Sequence, residues 1–83
     1  MGDFEKKYFV AEQIDHLLAN KGIYSICEPC DFGVRVSIEG DWKHDHLRAK
    51  LLIEEAGYMY CGEVVTEDTG EDFYPADHYI KVS

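Results

Sequence analysis

The sequence predicts a single α+β domain spanning residues 1–83, with element order αββαββ and a four-stranded antiparallel sheet carrying both helices on one face. Three observations predict it. Two stretches with helical apolar spacing each end at a glycine, Gly22 and Gly57. Each is followed by two stretches with strand character joined by turn residues. At 83 residues the chain has room for one domain, and no single αββ unit could bury its own apolar faces.

The first helix is expected over 5–20. Val10, Ile14, Leu17 and Leu18 fall at i, i+4, i+7 and i+8, which is one face of a 3.6-residue repeat. Asp3 stands where an N-cap belongs, and Gly22 supplies the stop. Strands are expected over 23–28 and 32–39, with turn chemistry from Pro29, Cys30, Asp31 and Gly33. In the second strand Val34, Val36 and Ile38 alternate with Arg35, Ser37 and Glu39, so one set faces the helices and the other faces away. The second helix is expected over 42–56, with Asp41 as N-cap and Trp42, Ala49, Leu52, Ile53 and Ala56 on one face. Leu47 and Leu51 lie on another face. They either pack against the first helix or form a ridge through which a second copy could make a homodimer.

The last pair of strands is expected over 58–66 and 73–82, joined by the turn EDTGED with Gly70 as its left-handed residue. Pro75 cannot donate a ladder bond, which marks its strand as an edge strand or a bulged one. Tyr58 and Tyr60 alternate with Met59 and Cys61, and either pair could face inward. The halves are alike locally: Leu17-Leu18 through Gly22-Ile23-Tyr24 resembles Leu51-Leu52 through Gly57-Tyr58, which suggests a pseudo-duplicated αββ unit. The expected core is Val10, Ile14, Leu17, Leu18, Val34, Val36, Ile38, Leu52, Ile53, Ile80 and Val82.

Charge narrows the function. Seventeen acidic residues against eight basic ones give net −9, which disfavours direct contact with a nucleic-acid backbone or an anionic membrane. No apolar run approaches a membrane span, and the charged start MGDFEKKYFV does not read as a signal peptide, so a cytoplasmic location is expected.

Cys27 and Cys30 form a CxxC pair, but Glu28 and Asp31 flank it and a strand follows where redox chemistry would want a helix N-terminus. Zinc would need two further ligands from Cys61, His44, His46 and His78, none of which forms a second local pair. No cofactor and no functional metal is expected. His44-Asp45-His46 reads as a polar first helical turn, since i and i+2 do not face each other. The acids of residues 67–72 lack the alternating spacing of a calcium loop. Asp31-Phe32-Gly33 and Gly22-Ile23-Tyr24 match kinase and nuclease tripeptides in letters only. No phosphate loop or nucleophile elbow is present, and the chain is not expected to be an enzyme.

The acids are concentrated: residues 63–83 carry net −5, and the other 62 residues carry net −4. The expected function is a small acidic protein-binding module, an inhibitor or adaptor that docks on a basic site of a partner protein, a nucleic-acid-binding site among them. Phage-encoded anti-restriction and anti-CRISPR proteins work in that manner, and the analogy is one of size and charge alone. The expected contacts are Glu63, Glu67, Asp68, Glu71, Asp72 and Asp77, with Tyr74 and Tyr79 as aromatic anchors. The alternatives are a zinc-binding module using Cys27 and Cys30, and an enzyme or small-ligand binder using His78, Tyr74 and Tyr79.

Overall fold

A computed structural model describes residues 2–82. It contains helix α1 (Asp3–Ala19), strands β1 (Ser25–Pro29) and β2 (Gly33–Ile38), helix α2 (Lys43–Glu55), and strands β3 (Met59–Val65) and β4 (Ala76–Lys81). The four strands form one antiparallel sheet in the order β1-β2-β4-β3. The expected α+β fold is present, with α1 packed on β1 and β2 and α2 on β3.

Both helices end the same way. Ile23 N–H reaches back to Leu18 C=O at 2.9 Å over Gly22 at φ +80°, and Tyr58 N–H reaches Ile53 C=O at 3.3 Å over Gly57 at φ +91°. That shared closure is the physical content of the local sequence similarity, and it does not show a common origin for the halves.

The helix starts differ from the sequence reading. Asp3 and Glu5 lie inside the first turn of α1, where they complement the dipole, and Gly2 is the N-cap. At α2 the N-cap is Trp42, because Asp41 takes a left-handed conformation at φ +48° and stands outside the helix. Trp42 is therefore extended and 53% exposed instead of facing inward.

The core is continuous from α1 across the sheet to α2: Ala11, Ile14, Leu18, Ile23, Val34, Val36, Ile38, Ala49, Ile53 and Ile80. Val10, Leu52 and Val82 only flank it, half-buried, and so do Tyr60 on β3 and Tyr58 just before it, which are the inward-facing pair. Leu17 is half-buried as well. Leu47 and Leu51 are exposed and do not pack under α1.

Two turn expectations are corrected. β4 is an inner strand, between β2 and β3, and Pro75 stands just before its first residue, where a missing N–H breaks no ladder bond. Gly70 is not left-handed; a φ of +127° falls instead at Gly62 within β3, beside a bulge between Tyr60 and Gly62. The tight turn becomes a ten-residue connection, 66–75.

Candidate functional site

The β3–β4 connection folds back over the start of α2 and is tied there by backbone bonds. Lys43 N–H donates to Asp72 C=O at 2.8 Å, and Tyr74 N–H donates to Asp41 C=O at 2.9 Å. Gly70 N–H bonds Phe73 C=O at 3.0 Å, and Thr66 N–H bonds Pro75 C=O at 2.8 Å. Trp42 and Phe73 meet in an isolated antiparallel bridge, and both side chains are large and exposed. The acidic stretch is thereby held against a rigid helix start, which lowers the entropy it has left to lose.

Beneath it lies a buried polar chain. His46 on α2 and His78 on β4 are 2% and 1% exposed, and their rings join Nδ1 to Nε2 at 2.7 Å. His46 Nε2 lies 3.3 Å from Asp41 Oδ1, and the Tyr60 hydroxyl lies 2.7 Å from His78 Nδ1. An ionised carboxylate only accepts, which fixes every proton in turn for neutral rings. His46 donates from Nε2 to Asp41, so its Nδ1 accepts from His78 Nε2–H, and His78 Nδ1 accepts from the Tyr60 hydroxyl. No buried side-chain nitrogen or oxygen among the described residues is left without a partner.

Burial holds the His78 ring and the Tyr60 phenol in their neutral forms. Burial first, and the neighbouring His46 second, push the His78 pKa down to about 4. Burial also raises the Tyr60 phenol well above its usual value, with Glu63 adding to the effect. The left-handed Asp41 and the preceding Gly40, at φ +86°, aim the carboxylate that ends the chain. Asp tolerates that conformation better than most residues.

Beside the chain, α2 and β3 enclose an open cavity of about 510 Å³. Lys43, His44, Leu47 and Lys50 form its helix wall, Glu63 and Asp72 stand on the other side, and His46 and Tyr74 contribute rings. Tyr74 meets His46 edge-on, with ring centroids 5.6 Å apart. Its phenol is raised by burial and by a hydrogen bond with Glu63. Lys50 Nζ lies 5.5 Å from the centre of the Tyr60 ring.

The eight residues singled out from sequence fall into three places. Glu67, Asp68, Glu71 and Asp72 are exposed on the connection. Glu63 and Tyr74 join Asp72 at the cavity. Asp77 and Tyr79 project from the face of the sheet that no helix covers, where Asp77 accepts from the Ser37 hydroxyl at 2.8 Å and Tyr79 lies 5.7 Å from Phe32. That face also holds the Arg35–Glu28 ion pair at 2.6 Å.

Cys27 is half-buried on the helix side of β1, its thiol pushed up to about 11 by burial, while Cys30 lies in the β1–β2 turn and Cys61 is exposed. Among the described residues no group of three or more His, Cys, Asp or Glu side chains is arranged to hold a metal ion. No described helix is long and apolar enough to cross a membrane.

Sequence reasoning passed over Asp41, His46 and Tyr60 as partners of His78. The available signal was phase. His46 precedes Ala49 and Ile53 by three and seven residues on the buried stripe of α2, and His78 shares the buried face of β4 with Ala76 and Ile80, two residues to either side. His44, two residues from His46, is exposed, as the helical period requires. Comparison with protein-family models, with curated proteins and with solved structures gives no match.

Proposed function

We propose that the protein is a small acidic binding module whose β3–β4 connection docks on a basic surface of a partner protein. One observation carries the reading: the acidic connection is stitched to the α2 N-terminus and sets the exposed Trp42 and Phe73 beside Glu71 and Asp72. Aromatic anchors rimmed by charge are the usual composition of an interface hot spot. Carboxylates steer encounter, and buried aromatics set residence time. A backbone already ordered spends less of that interaction on ordering.

Glu67, Asp68, Glu71 and Asp72 are the steering charges, with Trp42 and Phe73 replacing Tyr79 as anchors on this side of the molecule. If the partner's basic site also holds DNA or RNA, the module competes with the nucleic acid and acts as an inhibitor, in the manner of phage anti-restriction and anti-CRISPR proteins. The function needs no catalytic step, and none is assigned to it.

The test compares the chain with a variant in which Glu67, Asp68, Glu71 and Asp72 are all reversed to Lys. Captured partners are eluted with rising salt and challenged with DNA and RNA. The proposal expects the reversed variant to lose the partner, and the native chain to release it as salt rises. Equal capture by a variant with native circular dichroism would refute it.

A second reading, a small-ligand binder, is supported by the cavity between α2 and β3 with its His46 and Tyr74 rings. Chemical-shift changes confined to Lys50, Glu63 and Tyr74 on adding a ligand panel would favour it, and an unresponsive cavity would remove it.

A further inference from the structure

The sheet has two free edges, and they differ. On β1, the bond from Glu39 N–H to Tyr24 C=O and the Cys30–Gly33 pair turn every second residue toward β2, which leaves Ser25, Cys27 and Pro29 facing outward. Pro29 has no N–H to offer, and the groove beside this edge holds Glu12 and Asp15 with no basic residue. Such an edge repels a second chain of the same net charge.

The β3 edge carries no proline over its seven residues. Thr66 N–H bonds Pro75 C=O, so Val64 and Gly62 turn toward β4 while the N–H and C=O groups of Glu63 and Val65 face outward. Apolar side chains flank this edge on both sides. Leu47 and Leu51 on α2 are 61% and 51% exposed, and Met59, Val64 and Val65 on β3 are exposed too. The bulge between Tyr60 and Gly62 confines regular pairing to the Glu63–Val65 end.

Both charge signs stand beside this edge. Lys43 and Lys50 line the helix wall, and Glu63 and Asp72 stand opposite. No ion pair joins these lysines to these acids among the described residues. An unpaired strand edge, a leucine ridge and charges of both signs are the elements that an isologous two-fold contact can use.

We propose that β3 pairs with β3 of a second copy, extending the sheet from four strands to eight, with Leu47 and Leu51 of the two α2 helices packed across the two-fold. Glu63 and Val65 exchange backbone bonds with the same residues of the other copy. The lysine wall of each copy then faces the acids of the other. Asp72 belongs to both surfaces, while Glu67, Asp68, Glu71, Trp42 and Phe73 stay outside this interface, so the dimer can present two docking sites, and its failure leaves the partner-docking proposal standing.

Sedimentation velocity from ~10 μM to ~1 mM, together with amide exchange at both ends of that range, tests the pairing. The expected result is a monomer–dimer equilibrium with Glu63 and Val65 amides more protected at the higher concentration. The double substitution Leu47→Glu with Leu51→Glu should weaken the dimer at least about tenfold. Val65→Pro should do the same by deleting an outward N–H while sparing the β4 ladder, which separates edge pairing from helix contact. Because these positions are exposed or edge-facing, urea unfolding of each variant checks that it is folded. A monomer throughout the range, a dimer indifferent to both variants, or protection appearing at Ser25 and Cys27 instead would each overturn the proposal.

Discussion

The two αββ halves solve the same packing problem with different chemistry. In the first half the inward positions of α1, β1 and β2 are filled mainly by aliphatic side chains, with Ala11, Ile14, Leu18, Ile23, Val34, Val36 and Ile38 buried. In the second half, α2 and β4 each give one central inward position to a histidine, and β3 adds a tyrosine. Aliphatic packing is non-directional and tolerant, whereas a hydrogen-bonded chain works only in one arrangement. The difference teaches where specificity is located. The first half supplies stability, and the second fixes the Asp41–Trp42 turn on which the acidic connection rests.

The largest effects should come from the apolar half and the seam. Ile14→Ala should cost about 2–5 kcal/mol in urea unfolding, by lost burial plus the cavity left behind. Gly33→Ala should be comparable, because an added Cβ would lie 1.9 Å from the Ile80 carbonyl oxygen, where β2 meets β4. A near-wild-type midpoint for Ile14→Ala would take Ile14 out of the core, and one for Gly33→Ala would mean that the halves are not joined along that seam.

The polar half should instead reveal itself through pH. An unfolded histidine takes up a proton below about pH 6.5, while buried His78 refuses one down to about pH 4. Stability is therefore complete above pH 6.5, falls as pH drops from 6.5 to 4, and levels off below for this group. The expected loss is roughly 3 kcal/mol over that window, on top of whatever the carboxylates contribute. In His78→Leu the same window should flatten, even though that variant is less stable at neutral pH for stranding Tyr60 and His46. An unchanged pH slope would show that His78 is accessible to solvent protons.

Smaller still should be Leu52→Ala, at about 1–2 kcal/mol, because Leu52 only flanks the core that Ile53 enters fully. A loss for Leu52→Ala larger than for Ile53→Ala would reverse the phase of α2. Least of all, Arg35→Ala should change stability by under about 1 kcal/mol, since its ion pair with Glu28 lies exposed on the uncovered sheet face. A greater loss would make that face part of the folding core.

The contrast also explains what could be read from the amino-acid order. Element order, helix stops and the alternation of Val34, Val36 and Ile38 were legible because each follows from a local period or from glycine's conformational freedom. The shift of Trp42 from the buried face to the surface was not legible, because it depends on Asp41 adopting a left-handed conformation that suits its bond with His46. The buried histidine pair was hidden for a related reason. Each ring looks polar alone, and only the sheet and α2 packing brings His46 and His78, 32 residues apart, into contact. The acidic connection was legible as charge but not as shape, since its order comes from bonds to Asp41 and Lys43 earlier in the chain.

That order is the central claim, and backbone ¹⁵N relaxation measures it most directly. If the connection is a preformed docking surface, Asp72, Phe73 and Tyr74 should have order parameters near ~0.85, like the helices beside them. Values below ~0.6 across these residues would make the connection a solvated acidic loop and contradict the account.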